Sequence, residues 1–346
     1  MKNNQPLVSI IIVSLNRKSD LSNCIESLNS QTYKNYEILL IDNNSEDGST
    51  EFIKSKFPST KVYKTFKNLG TSYTRNAGVK FSKGELIWFL DSDVYLKDDN
   101  VLFNLIEKFT SENEIDGIGG EAILNDKDEI IGTKKLILYP NGMTKGYLDT
   151  SNQKSKVKII TTCNLLIKKK IIEDVGGFDH FYFFYLEDID LTFRIYKKGY
   201  KIYLMEKCPV IHYFSETARL KNHFIAKRNR IYFIIKNFKI FNIFILPFYD
   251  LFYILSLDNL KRIFRKIFQN YKIEDHNIKI LPKKFSFINI LYTLKITTII
   301  ILSMIFSYLY IPYFLIKHIM QKNIKINFLE LIKKENFILI KNKNNL

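Results

Sequence analysis

Leu86-Ile87-Trp88-Phe89-Leu90-Asp91-Ser92-Asp93 sets an unbroken apolar run against two carboxylates one residue apart. A short apolar run that ends abruptly in polar residues reads as a strand buried on both faces, as in parallel sheets covered by helices. Asp91 then stands at the carboxyl end of that strand, where open α/β sheets bind their ligands. Carboxylates at i and i+2 can point the same way and together form a hard oxygen site for Mg2+ or Mn2+. An acidic pair alone is usually only solvated. The strand in front of this one gives it direction.

Working outward, the chain alternates in the manner of βαβ units. Residues 7–15 form a nearly continuous β-branched run that ends at Asn16-Arg17. Leu21, Cys24, Ile25 and Leu28 follow at helical spacing, after Ser19-Asp20, which can cap that helix. Residues 36–41 are a second apolar strand, running into the turn-rich stretch Asp42-Asn43-Asn44-Ser45-Glu46-Asp47-Gly48-Ser49. A helix through Phe52, a strand near Val62 and a helix over 70–81 lead back to the strand at 86–90. Asn16-Arg17, Asp42 and the Asp91/Asp93 pair therefore each follow a predicted strand. They converge on one edge of the sheet.

Beyond the first acidic pair, residues 125–158 are polar, lysine-rich and read as an irregular surface excursion. Residues 159–167 predict a strand carrying Thr161, Thr162 and Asn164, and Gly176-Gly177-Phe178-Asp179 predicts a turn. A helix over 188–197 opens on the second acidic cluster, Glu187-Asp188-Ile189-Asp190. Acids at a helix start can serve the macrodipole alone. Here the aromatic run 181–185 sets them beside a partly desolvated pocket, and desolvation lifts a carboxylate towards the range of a general base. Arg194, two turns after Glu187, is expected to hold that acidic cluster in place. A last short strand, 209–213, carries His212.

Charge separates the chain into two parts. The net charge is +17, yet residues 220–346 hold 22 Lys and Arg against 6 Asp and Glu, leaving residues 1–219 nearly neutral. A basic tail on a neutral domain, rich in Phe, Ile, Tyr and Leu, suits an anionic membrane surface better than nucleic acid. The boundary is drawn near residue 235, giving a catalytic domain over 1–235 and a basic, apolar, helical extension over 236–346. Residues 296–316 run without a charge and are long enough to cross a bilayer. The basic segments on either side argue instead for interfacial helices at anionic headgroups. A helical subdomain buried in a dimer is the plainer reading. Cys24, Cys163 and Cys208 are widely spaced with no CxxC pair, which fits reduced thiols and no structural zinc. The N-terminus reads as a strand rather than a signal peptide. No Walker loop is present, which argues against an ATPase.

In order and spacing, residues 7–232 resemble the inverting glycosyltransferases of family 2, which have the GT-A fold, and most closely their rhamnosyltransferase-like branch. The matching pieces begin with Val8-Ser9-Ile10-Ile11-Ile12-Val13-Ser14-Leu15-Asn16-Arg17, Ile41-Asp42-Asn43-Asn44-Ser45, Asn68-Leu69-Gly70 and Arg75-Asn76-Ala77-Gly78. They continue with the Asp91 triplet, Gly176-Gly177-Phe178-Asp179, Glu187-Asp188-Ile189-Asp190-Leu191, Gly199-Tyr200, His212 and Arg228-Asn229. The resemblance implies a Rossmann-like α/β domain, a nucleotide-sugar donor and a divalent metal. It implies that Asp42 accepts from the pyrimidine ring, that Asn16 sits beside the nucleoside and that Arg75 lies near the nucleotide; a helix-surface arginine is the alternative for Arg75. Asp91, with Ser92 beside it, would hold ribose or metal, and Asp93 would ligate the metal. Asp188 would be the general base, with Glu187 and Asp190 shaping its site. His212 matches a position that supplies a further metal ligand, although a lone histidine on an apolar strand also reads as core.

The implied acceptor is a glycan or a polyprenyl-phosphate-linked sugar at the cytoplasmic face of a membrane. Two features depart from the family pattern. The only tryptophan is Trp88, so the QxxRW motif of processive synthases is absent, and residues 125–160 match nothing in the pattern. Two other readings stand beside this one. A nucleotidyltransferase also places acids at strand ends, but it opens with a glycine-rich phosphate loop that Ser14–Asp20 lacks. An inactive relative acting as a glycan-binding or membrane scaffold would not need Asp91, Asp93 and Asp188 intact.

Overall fold

The computed structural model describes residues 5–112, 114–124, 128–150, 155–205, 209–212, 223–239, 241–255, 298, 302, 305–322 and 332–340. The chain divides into two compact units. One comprises Met1–Leu138, Thr144–Glu216 and Lys325–Leu346, and the other Tyr139–Met143 and Thr217–Ile324.

The first unit begins β1 (Val8–Ser14), α1 (Lys18–Asn29), β2 (Tyr36–Asp42), α2 (Ser49–Lys56), β3 (Lys61–Thr65), α3 (Thr71–Phe81) and β4 (Leu86–Asp91). These four strands lie parallel in the order β3-β2-β1-β4, with Ser14 level with Asp42 and Val13 level with Asp91. That register brings Asn16, Asp42 and Asp91 to the same sheet edge. Alternation along the strands fills two cores. Ile10, Ile12, Leu40 and Trp88 face Leu21, Ile25 and Leu28 of α1. Ile11, Leu39, Ile87 and Phe89 face Val79 of α3 on the other side. A Cβ at Gly78 would collide with the Ile11 side chain, so glycine is what lets α3 lie this close to β1. The helix in turn aims Arg75 at the strand ends.

After β4 come β5 (Val94–Leu96), α4 (Val101–Ser111), β6 (Gly117–Gly119), β7 (Ala122–Leu124), β8 (Ile130–Leu138), β9 (Thr144–Asp149), β10 (Ser155–Val157) and β11 (Asn164–Lys168). Then follow α5 (Lys169–Asp174), α6 (Glu187–Lys197), β12 (Ile202–Leu204) and β13 (Val210–His212). The main sheet is mixed and mostly parallel around its centre: β11 runs antiparallel to β4 and β6, while β12 is parallel to β6. Its described order is β10-β12-β6-β11-β4-β1-β2-β3-β14, where β14 is Phe337–Ile340. Trp88 donates its Nε1 hydrogen to Asn164 Oδ1 across the β4–β11 pair at 2.7 Å, satisfying both buried groups.

Several local expectations are corrected. The described part of 125–158 is not irregular: β8 and β9, with β7 just before them, make a separate three-stranded antiparallel sheet, and β10 joins the main one. The strand expected over 159–167 starts only at Asn164. The first helix begins at Lys18, so Ser19 and Asp20 sit within its first turn, where Asp20 pairs with Arg17 at 2.9 Å. The tail is not wholly helical. β14 pairs antiparallel with β3, and Phe337 packs on Tyr73 and Phe81 of α3. Ile338 and Leu339, on the outer edge, stay nearly half exposed.

The second unit contains α7 (His223–Asn237), α8 (Phe241–Leu255) and α9 (Ile311–Lys322). Tyr232 and Phe314 pack at its centre with ring centroids 5.3 Å apart, and a buried Arg230–Asp250 pair accepts Tyr308 OH. Phe241, Phe244 and Phe248 of α8 are 66%, 70% and 71% exposed, in a row along one face. No helix among the described residues is long and apolar enough to cross a membrane. Most of 296–304, the first part of the charge-free stretch, and all of 258–284 lie outside the described residues.

Candidate active site

The loop after β1 and the loop after β2 are stitched together. Asn16, held at φ 54°, donates its N–H to Ser45 Oγ at 2.8 Å and accepts Glu46 N–H on Oδ1 at 2.8 Å. Asp42 is almost fully buried. Its Oδ1 accepts Ser45 N–H at 3.1 Å and Ser45 Oγ at 2.5 Å, and its Oδ2 accepts Thr50 Oγ1. Asp42 thus folds the loop that borders the strand ends. Its carboxylate is engaged inside that loop rather than turned outward to a base.

Asp91 and Asp93 leave β4 on either side of the buried Ser92. β13 pairs with β5 so that His212 is level with Val94. Its Nε2 lies 3.1 Å from Asp93 Oδ1 and 3.6 Å from Asp91 Oδ2, and Arg17 reaches Asp93 Oδ2 at 3.5 Å. The ligand atoms of Asp91, Asp93 and His212 all fall within 4.8 Å of one another. Two carboxylates and an imidazole at that spacing fit a divalent ion such as Mn2+ or Mg2+. Burial pushes the imidazole's pKa down, but Asp93 at hydrogen-bond distance, with Cys163 and Glu121 close by, outweighs it, and the net shift is well upward. The surroundings draw in positive charge, whether proton or metal.

Arg75 is the keystone. It is buried, not spread on the helix surface, and its Nη2 donates to Asp91 Oδ1 at 2.7 Å while Nη1 donates to Glu187 Oε1 at 2.8 Å. One guanidinium therefore spans the two acidic clusters, a fork geometry that lysine could not copy. Beside it, Asn76 exchanges two hydrogen bonds with the backbone of Phe178, fixing the Gly176-Gly177-Phe178-Asp179 turn to α3.

Glu187 and Asp188 open α6 after a strained approach. Phe183, Tyr185 and Leu186 all have positive φ, at 57°, 71° and 67°. Each such residue costs on the order of 1–3 kcal/mol, and such strain gathers at functional sites. Phe183 packs so closely on Gly70 that a Cβ there would come within 2.5 Å of its ring. Thr71 N–H donates to Phe183 O at 2.6 Å. Glu187 is buried with Oε2 unpartnered, and burial, only partly offset by Arg75, pushes its pKa up to about 7. Asp188 is partly exposed and also raised by burial; its Oδ1 accepts Ile189 N–H at 2.8 Å and its Oδ2 has no hydrogen-bond partner among the described residues. Arg194 pairs with Asp190 at 2.7 Å and donates to Gly177 O, while Tyr182 OH donates to the other Asp190 oxygen. The partner of Glu187 is Arg75, not Arg194.

Sequence reasoning passed over Glu121. It is buried behind His212, with Oε2 3.9 Å from His212 Nδ1 and 2.9 Å from Lys134 Nζ. Its position after Gly119-Gly120, directly beyond an apolar segment, was the available signal.

A three-layer α/β fold with polar loops at the strand ends, a carboxylate–imidazole cluster and a second acidic pair has the form of a GT-A-like domain. Residues 9–176, just under half of the chain, match the model of glycosyl transferase family 2. The match ends before Glu187. The chain is 27% identical over 214 residues to glycosyltransferase AglE of Haloferax volcanii, which is 58% of this chain and 65% of that protein. Among solved structures it is similar in fold to mannosyltransferase PcManGT from Pyrobaculum calidifontis in complex with GDP-Man and Mn2+. There the TM-score is 0.54 at 12% identity, covering 90% of this chain and 88% of that one. GalNAc-T7 with UDP, GalNAc and Mn2+ is similar with a TM-score of 0.56 at 17% identity, covering 68% of this chain and 48% of that one.

Proposed function

We propose that the protein transfers a sugar from a nucleoside-diphosphate donor to a glycan or polyprenyl-phosphate-linked acceptor, inverting the anomeric configuration. The observation that carries this reading is the Arg75 bridge, which holds a metal-ligand cluster and a raised acidic pair on opposite arms of one buried cation. The donor side comprises Ser92 and the carboxylates of Asp91 and Asp93, bordered by the loop that Asn16 and Asp42 fold. Asp91, Asp93 and His212 would hold Mn2+ or Mg2+, in keeping with the Mn2+ in both similar solved structures. The bound ion supplies positive charge against the departing diphosphate.

Asp188 takes the proton of the acceptor hydroxyl as that oxygen attacks the anomeric carbon. The bond from the anomeric carbon to the diphosphate breaks on the opposite side, and the nucleoside diphosphate leaves with the electron pair. The partial exposure of Asp188, its raised pKa and the unpartnered Oδ2 suit a base that must meet a substrate. Glu187, Asp190 and Arg194 hold that end of α6 in place. The order of motifs supports assignment to the rhamnosyltransferase-like branch.

The second unit attaches the enzyme to the cytoplasmic face of a membrane, where a lipid-linked acceptor would lie. Supporting this are the phenylalanine face of α8 and the excess of lysine and arginine beyond residue 220. The test is a screen of nucleotide sugars, reading nucleoside diphosphate release with Mn2+ or Mg2+ and membrane-derived acceptors. Release from one donor class is expected, and chelation should stop it; no release from any donor would sink the proposal.

A further inference from the structure

The side chains of Lys134, Glu121, His212 and Asp93 follow one another from the β7–β8 hairpin to the metal ligands. Glu121 emerges just after β6 and is only 5% exposed. Both of its carboxylate oxygens receive Lys134 Nζ, at 2.9 and 3.1 Å, and the backbones of the same two residues are joined by Lys134 N–H to Glu121 O at 2.7 Å. Thr133, next along β8, donates to Met205 O at 3.0 Å, so the hairpin is pinned on both sides of this contact. Glu121 Oε2 faces the Nδ1 edge of His212, opposite the Nε2 edge that meets Asp91 and Asp93. Cys163 Sγ approaches the same oxygen at 3.9 Å from β11's entry.

We propose that Glu121, anchored by Lys134, is a positioning residue that fixes the imidazole of His212 with Nε2 turned to the metal. Histidines that ligate metals almost always direct their other ring nitrogen to a carboxylate, carbonyl or water, which sets tautomer, ring angle and basicity. Glu121 is the carboxylate that faces that nitrogen, at 3.9 Å, and has its own charge held by a lysine from a different sheet. The hairpin between the two acidic clusters thereby reaches the metal ligands through two side chains. This rests on the reading of Asp91, Asp93 and His212 as the metal site.

The test is Mn2+ binding by the full chain with saturating UDP or GDP, followed by the electron paramagnetic resonance signal of free Mn2+. Glu121→Gln is expected to weaken Mn2+ binding about 10–100-fold. In a His212→Ala background the same change should alter affinity less than about twofold, because the residue through which Glu121 acts is gone. Glu121→Asp keeps the charge for Lys134 and shortens the reach to His212. It serves where the glutamine variant fails to fold, and should lose at least about threefold in affinity with an unchanged unfolding midpoint. Wild-type affinity in Glu121→Gln, or an equal loss in the His212→Ala background, overturns the inference. Failure of the wild type to bind Mn2+ overturns the metal reading itself, a distinct result.

Discussion

Replacing Arg75 with methionine keeps the stem of the side chain and removes the cation from between two carboxylates. The guanidinium contacts are 2.7 Å to Asp91 and 2.8 Å to Glu187. At an effective dielectric near 20, a unit charge pair at that separation is worth about 6 kcal/mol before desolvation is subtracted. The net cost of deleting one partner of a buried pair is about 3–5 kcal/mol, because the remaining charge is stranded. Water reaches Asp91, whose side chain is 29% exposed, whereas Glu187's is only 6% exposed, so the Glu187 arm dominates. Urea unfolding of the full chain at about pH 8, above the value of about 7 at which Glu187 titrates, should therefore show a loss of about 3–5 kcal/mol. Adding Glu187→Gln removes the stranded charge and should recover at least about half of it. The deficit should shrink towards acid, where Glu187 takes up a proton. A loss under about 1 kcal/mol, or a double variant no better than the single one, would refute the bridge as a structural keystone.

Three further outcomes follow from the same geometry. Glu187 has a folded pKa raised to about 7, so its stabilising contribution is full below the unfolded value and is lost as pH rises through neutrality. The thermal midpoint should fall between about pH 5 and pH 8, and Glu187→Gln should flatten that fall; because the Asp188 charge helps raise Glu187, Asp188→Asn should move the transition to lower pH. Gly70→Ala puts a Cβ at φ +82° against the ring and carbonyl of Phe183. About 1–3 kcal/mol of stability should go, with a larger fractional loss in turnover than in donor affinity, measured by calorimetry and initial rates. In α8, Phe244→Glu with Phe248→Glu should abolish flotation with anionic vesicles while leaving the unfolding midpoint within about 2 °C; unchanged flotation would remove the membrane assignment from that face.

The central strands were legible because burial on both faces writes itself as runs such as Ile10-Ile11-Ile12 and Leu86–Leu90, which no surface element would carry. The carboxylates at their ends were legible for the same reason, being placed by the strands. What could not be read was pairing across distance. Arg75 and Glu187 stand 112 residues apart, and nothing in a helix such as Thr71–Phe81 says that its arginine points inward until Gly78 has brought the helix against β1.

The resemblance gives Asp42 a role towards a pyrimidine ring and says nothing of its neighbours in the loop. Ser45 and Thr50, three and eight residues on, instead turn it into the loop's own hydrogen-bond centre. The β8–β9 hairpin was hidden because its faces are half exposed and lysine-rich, which erases the period-2 contrast. β14 was hidden in a basic tail: four apolar residues carry little signal until a sheet edge accepts them.

The most direct measurement compares nucleoside diphosphate release by wild type and Asp188→Asn with the preferred donor, Mn2+ and acceptor, alongside donor binding by calorimetry. Asp188→Asn should bind the donor within about twofold of wild type while release falls at least about 100-fold, the loss due when a general base is removed. Release near the wild-type rate with binding intact would contradict Asp188 as the base and, with it, the assignment of the second acidic cluster to the reaction.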